Sequence, residues 1–279
     1  MARRRVFLAA SDCVVSQPWA QRLGVASAVT RALINPANPS LAGTALAYFQ
    51  RGGPCPPPPP PGASASDSWG GMEAGSGMLY PTQVVDGVVH RLGGKALRDA
   101  LARARPAAGT SRCAVGDAVV TAAAGALAEF DLIAHTPTPF WPREDATGEA
   151  GRAWLTQLQS CYVASAGAIG RATEPNAPLM VAAPLLGAGA GGAPVADAAR
   201  AAAGAVARML AAAAGAEMRE VTLRFVVQGP GPYEALHVAI ADERLRDPAA
   251  WERVEVTAER PAETSGWGGV SEDARLGQG

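Results

Sequence analysis

The sequence predicts an α/β fold in which helices cover both faces of a mainly parallel or mixed sheet. Three observations carry this expectation. Short apolar runs rich in β-branched residues alternate with longer segments of helical apolar spacing. Leu179 to Leu186 is an apolar run that only Pro184 interrupts, the pattern of a strand buried on both faces. Of the 279 residues, 48% are hydrophobic, enough for a sizeable core.

The elements follow in order. Arg5 to Val15 and Ser27 to Ile34 read as strands, the second stopped by the turn formers Asn35-Pro36-Ala37-Asn38-Pro39. From about Thr44 to Thr82 the composition shifts to Pro, Gly and Ser, with six prolines at Pro56 to Pro61. Such a stretch favours solvated polyproline II and cannot bury enough apolar surface to offset its ordering entropy, so a disordered surface insertion is expected. A docking site for an SH3 or WW partner at Pro56 to Pro61 is the alternative use of it.

Val84 to Arg105 has helical spacing despite Gly93-Gly94 at its middle. Ala118 to Thr121 and Phe130 to His135 are further strands, and Trp154 to Ala172 is a helix. Leu179 to Leu186 leads through Gly187 to Gly192 into an alanine-rich helix that Pro194 can open and that runs to about Ala214. Val221 to Val227 is a strand and Pro232 to Ile240 a helix. The domain is expected to span 1–245, with the insertion at about 44–82 and a polar tail over 246–279.

Composition removes several function classes. Lys and Arg number 24 against 25 Asp and Glu, so no basic excess is present to bind nucleic acid. The four cysteines are dozens of residues apart, unlike a zinc or redox pair or a dense disulfide scaffold, and point to a reducing compartment. The apolar run after Arg3-Arg4-Arg5 is too short for a signal peptide, and Ala198 to Ala214 carries Arg200 and Arg208 and is too short for a membrane span. The chain is expected to be soluble and intracellular, cytoplasmic or nuclear, with organelle targeting left open and no membrane partner. Three scattered histidines offer no metal site, and no cofactor is expected.

Three places could carry chemistry. Gly187, Gly189 and Gly192 spell G-x-G-x-x-G between a strand and a helix, where glycines let backbone N–H groups approach a phosphate and the helix dipole favours an anion. A Rossmann unit would want an acidic residue after the next strand, and Gln228-Gly229 stands there instead. Asn35 and Asn38 at a strand end can both donate and accept, which suits a polyol, although Asn and Pro are also ordinary turn residues. Asp86 and His90 lie one helical turn apart, an arrangement that serves either a general base or a surface pair. His135 reads as a hydrogen-bonded structural histidine at a strand end.

In this order the segments resemble the macrodomain family. The family's N-x-A-N strand end is similar to Asn35-Pro36-Ala37-Asn38, and its V-D-x-x-I-H helix start to Val85-Asp86-Gly87-Val88-Val89-His90. Cys113, Gly116, Ala118 and Thr121 match C-x-x-G-x-A-x-x-T, and Ala134 to Trp141 resembles I-H-T-x-x-P-x-W. Pro184, Gly189, Gly192 and Pro194 match the family's last glycine segment. The resemblance covers roughly Arg5 to Leu245 without the insertion.

It implies a three-layer α/β/α sandwich with a mixed, mostly parallel central sheet. It also implies binding of ADP-ribose or mono-ADP-ribosylated protein, and hydrolysis of the ADP-ribosyl or O-acetyl-ADP-ribose ester bond by an Asp-positioned water. Asn35 and Asn38 would face the distal ribose, and Asp86 would lie over it. Asp86, Asn38 and His90 are then the catalytic candidates. Gly187, Ala188, Gly189, Ala190, Gly191 and Gly192 would wrap the diphosphate, and Asp12 would accept from the adenine amine. Three departures stand out: no glycine run precedes Val85-Asp86, Gly191 stands where the family has an aromatic over the ribose, and Gln228 where one often stacks on adenine. A reader without catalysis, or a degenerate scaffold acting through its proline segment, are the alternatives.

Overall fold

A computed structural model describes residues 4–11, 14–15, 29–43, 49–52, 78–104, 111–214 and 219–259. Strands β1 (Arg4–Ala10) and β2 (Thr30–Ala37) come first, followed by two short strands, β3 (Phe49–Gln50) and β4 (Met78–Leu79). Helix α1 (Val85–Ala104) precedes β5 (Val119–Ala122) and β6 (Leu132–Pro137). Then come α2 (Glu149–Ala172), β7 (Leu179–Ala183), α3 (Val195–Ala214), β8 (Val221–Val227) and α4 (Pro230–Arg246). A single helical turn, α5 (Pro248–Trp251), leads into β9 (Val254–Glu259).

Among the described residues, seven strands form one sheet in the order β5-β6-β2-β7-β8-β1-β9. Only the β5–β6 pairing is antiparallel, and the other pairings in that sheet are parallel. Alternation along each strand builds a core on each face. Leu179, Val181 and Ala183 of β7 point to the core shared with α2, α3 and α4, while Met180 and Ala182 point to the core that holds Val89, Leu97 and Leu101 of α1. The architecture is the three-layer α/β/α sandwich with a mixed, mostly parallel sheet that the resemblance implied.

Three stretches differ from the sequence expectation. Strand β2 continues through Asn35-Pro36-Ala37, pairing Asn35 with His135 and Ala37 with Pro137 of β6, where the turn formers predicted its end. Proline is tolerated here because the pairing of β2 with β7 ends at Leu33, so at Pro36 the strand has a partner on its β6 side alone. The stretch over 246–279, read as a polar tail, supplies α5 and the edge strand β9, paired in parallel with β1. An edge strand needs apolar residues only on its inner face: Trp251 and Val254 are buried, and exposed Glu255 reaches Arg5 at 3.5 Å. Finally, the two ends of the expected insertion meet, since β3 pairs antiparallel with β4. Residues 44–48 and 53–77, with Pro56 to Pro61, lie outside the described residues.

Candidate functional site

The chemistry collects at the C-terminal ends of β2, β6 and β7, which are neighbours at the centre of the sheet. Strand ends of this kind are where open parallel sheets leave room for a ligand. β2 carries Asn35 just before its end at Ala37, β6 carries His135 in register beside it, and β7 runs into the glycine loop. Helix α1 brings Asp86 in its first turn and His90 one turn later.

Asn35 and His135 are both fully buried. Asn35 Nδ2 donates to Asp86 Oδ1 at 2.8 Å and lies 3.2 Å from His135 Nδ1, while His135 Nε2 lies 3.0 Å from Thr121 Oγ1 on β5. The amide nitrogen of Asn35 must face the carboxylate, because its carbonyl there would set two acceptors against each other. Its second hydrogen then points at His135 Nδ1, which has to be the bare nitrogen, and Nε2–H donates to Thr121. Burial pulls the His135 imidazole down to about 4, the Asp86 carboxylate opposing that shift and His90 adding to it. The result is a neutral, oriented imidazole that locks the amide holding Asp86.

His90 lies with Nε2 3.4 Å from Asp86 Oδ1, within ion-pair range. Its ring is wedged under Gly43: a Cβ there would come within 2.9 Å of it, and the backbone stands at φ 73°. Among the described residues, Asn35 Oδ1 and both ring nitrogens of His90 are buried without a hydrogen-bond partner. Unsatisfied buried polar atoms are rare in folded proteins, and three around one carboxylate mark this point as unlike the ordinary interior.

Asn38 is used differently. Its Nδ2 donates to Gly43 O at 2.6 Å, and its Oδ1 accepts from Ser40 Oγ at 2.6 Å. Both ends of the amide therefore shape the Asn38 to Gly43 loop that covers His90. Asp12 lies outside the described residues.

The glycine loop is tied down from several sides. Tyr162, fully buried on α2, donates its hydroxyl to Pro184 O at 3.1 Å and accepts from Leu186 N at 2.8 Å. Desolvation pushes that phenol far above its ordinary range, so it stays protonated. Ala193 N closes the loop on Gly187 O at 3.0 Å, Gly192 N bonds Gly189 O at 3.0 Å, and Trp141 N bonds Gly191 O at 2.9 Å. Ala188, Gly189 and Ala190 form its more open side, with Gly189 exposed. A Cβ on Gly191 would sit 2.8 Å from Gly187 O, so the tightness of this turn explains why no aromatic occupies that position.

The candidates Asn35, Asn38, Asp86, His90 and Gly187 to Gly192 lie at or against the ends of the neighbouring strands β2 and β7. The links of His135 and Thr121 to Asp86, and of Tyr162 and Trp141 to the glycine loop, are visible only in the fold. No local pattern marks those links, since His135 lies 100 positions from Asn35. Among the described residues no group of three or more His, Cys, Asp or Glu could hold a metal ion. No helix among them is long and apolar enough to cross a membrane.

No curated protein matches the chain in sequence. Residues 74–202 match the family model described as Macro domain. Among solved structures, a glycine-to-valine mutant of the Oceanobacillus iheyensis macrodomain with ADPR superposes with a TM-score of 0.53 at 15% identity, over 85% of this chain and 92% of that one. The Oceanobacillus iheyensis macrodomain with ADP gives a TM-score of 0.51 at 16% identity, over 78% and 86% of the two chains. At such identity the likeness speaks for the fold alone. The family match over residues 74–202 and this likeness agree: that stretch is similar to the Macro domain family, and the chain has the fold of the macrodomain structures.

Proposed function

We propose that the site binds ADP-ribose or mono-ADP-ribosylated protein and hydrolyses the bond between ADP-ribose and its acceptor, with Asp86 positioning the water. The observation that carries this reading is the 2.8 Å bond from Asn35 Nδ2 to Asp86 Oδ1 inside a buried network. It fixes one carboxylate oxygen, so that Asp86 meets a water in one orientation instead of several.

The glycine loop supplies the diphosphate cradle, and the sugar lies between it and Asp86. Asn35 Oδ1 and His90 Nδ1, which find no hydrogen-bond partner among the described residues, give that end of the site polar atoms for a hydroxyl or a water. Water attacks the anomeric carbon, a carbon–oxygen bond forms, and the bond to the acceptor breaks with its electron pair leaving on the acceptor. Asp86 orients the attacking water and receives its proton.

Calorimetric titration of ADP-ribose and release of ADP-ribose from a modified acceptor test the two halves separately. Wild type should bind and release, and Asp86→Ala should bind within a few-fold yet release about a hundredfold more slowly. Equal release by both would end the hydrolytic half. A second reading, a reader without turnover, draws support from Asn38, whose amide is committed to its own loop, and from Gly191 in place of an aromatic. It predicts binding with no release by wild type.

A further inference from the structure

Arg51 and Gly52, in the part of the insertion that precedes its prolines, lie across the glycine loop. Arg51 Nη2 donates to Ala188 O at 2.6 Å, and Gly52 N donates to Ala190 O at 2.8 Å. Arg143 Nη2, from the turn after β6, donates to Arg51 O at 2.9 Å and holds this crossing segment in place. Phe49, just before it, is buried and pairs with Leu79.

We infer that Arg51 and Gly52 brace the glycine loop so that its N–H groups face the bound diphosphate, which makes them positioning residues of the proposed ligand site. The inference rests on the reading given under Proposed function and follows from peptide planarity. In a trans peptide the C=O and the next N–H point in opposite directions. With Ala188 O and Ala190 O both turned to the brace, the N–H groups of Gly189 and Gly191 turn away from it together. Neither N–H has a backbone acceptor among the described residues.

Glycine-rich peptides flip readily, and a flipped peptide would aim a carbonyl at the anion. Holding the carbonyls from behind therefore selects the binding arrangement before a ligand arrives, which lowers the cost of ordering on binding. The insertion thereby acts on the site through Arg51 and Gly52, whatever its prolines do.

The test uses Arg51→Met and Arg143→Met, which keep the side-chain stems and remove the guanidinium groups, with Arg253→Met in the turn before the edge strand as control. ADP is the probe, since it carries the diphosphate without the distal ribose. The brace predicts that each variant weakens ADP about fivefold, the value of one modest hydrogen bond. The factor should be the same at low and high salt, and the double variant should lose less than the product of the two. A loss that vanishes at high salt would show that Arg51 contacts the phosphate as a charge, and wild-type affinity would show that it does nothing; either result overturns the brace. Failure of wild type to bind ADP would count against the proposed function instead. The brace is then decided in the free protein by amide NMR. Both variants must shift the Gly189 and Gly191 amide resonances and speed exchange of the Gly52 N–H, and unchanged spectra refute it.

Discussion

Asn35 on β2 and His135 on β6 occupy paired positions of two parallel strands, and their side chains meet with Asn35 Nδ2 3.2 Å from His135 Nδ1. That contact requires a histidine that stays neutral when the protein folds. An unfolded chain takes up a proton at His135 near 6.5, whereas burial holds the folded value down to about 4. Between those values the unfolded state binds a proton that the folded state refuses. The contribution is therefore whole above about pH 6.5 and is lost as pH falls toward 4, by roughly 3 kcal/mol at most. His135→Asn keeps an acceptor near the Nδ1 position and cannot titrate. Urea unfolding from pH 7 to 4.5 should show wild type losing more stability than this variant, and parallel pH profiles would contradict the neutral imidazole.

The same network predicts an unusual pH dependence for Asn35→Asp. At neutral pH it sets two carboxylates within hydrogen-bond distance in a buried place, which should cost about 2–4 kcal/mol. At lower pH one carboxyl takes a proton and can donate to the other, replacing the lost N–H. The melting temperature of Asn35→Asp relative to wild type should then recover between pH 7 and 5, while that of Asn35→Leu should not. Thermal melts of the two variants decide it, and a gap that is flat with pH for Asn35→Asp would refute the predicted orientation of the amide.

How much of this was legible in the sequence depends on the range of the interaction. The run at Leu179 to Ala183 announced a strand buried on both faces, because burial of that kind leaves a continuous apolar pattern. Asp86 and His90 were legible as a pair because helical spacing alone places them on one face. The partners of Asp86 were not, since Asn35 reaches it across 51 positions and only strand order decides which side chains become neighbours. β9 was missed for a different reason: Val254 to Glu259 alternates polar with apolar residues, which a sheet edge accepts and an isolated reading takes for a tail.

Tyr162 offers a test of the glycine loop away from any contact with ligand. Its hydroxyl bridges Pro184 O and Leu186 N at the point where β7 gives way to the loop. Tyr162→Phe keeps the ring, which packs edge-on against Phe225 at 5.9 Å between centroids, and leaves the Leu186 N–H unpaired in the interior. The expected loss is about 1–3 kcal/mol of stability. ADP-ribose affinity should fall several-fold as the loop loses its anchor, with the pH dependence that His135 imposes unchanged. Chemical denaturation and calorimetry read the two effects, and unchanged affinity would mean that the loop is anchored without this bridge.

Gly192 and Gly189 separate what the loop needs for folding from what it needs for binding. Gly192 has a φ of 77°, and a Cβ on it would lie 2.3 Å from Gly52 Cα, so the braced arrangement admits no side chain there. Gly189 is exposed, and a Cβ on it would meet nothing within 4 Å among the described residues. Gly192→Ala should therefore cost about 1–3 kcal/mol, because it combines backbone strain with a backbone clash that must push the Arg51–Gly52 segment off the loop. Gly189→Ala should be within about 0.5 kcal/mol of wild type in stability. It should nevertheless weaken ADP-ribose if the Gly189 N–H approaches the diphosphate closely, since a methyl group would stand in the way of that approach. Thermal melts with ADP-ribose titrations give four numbers. A Gly189→Ala protein that is stable yet weak in binding would place the ligand on the open side of the loop, whereas wild-type binding by it would move the diphosphate away from Gly189.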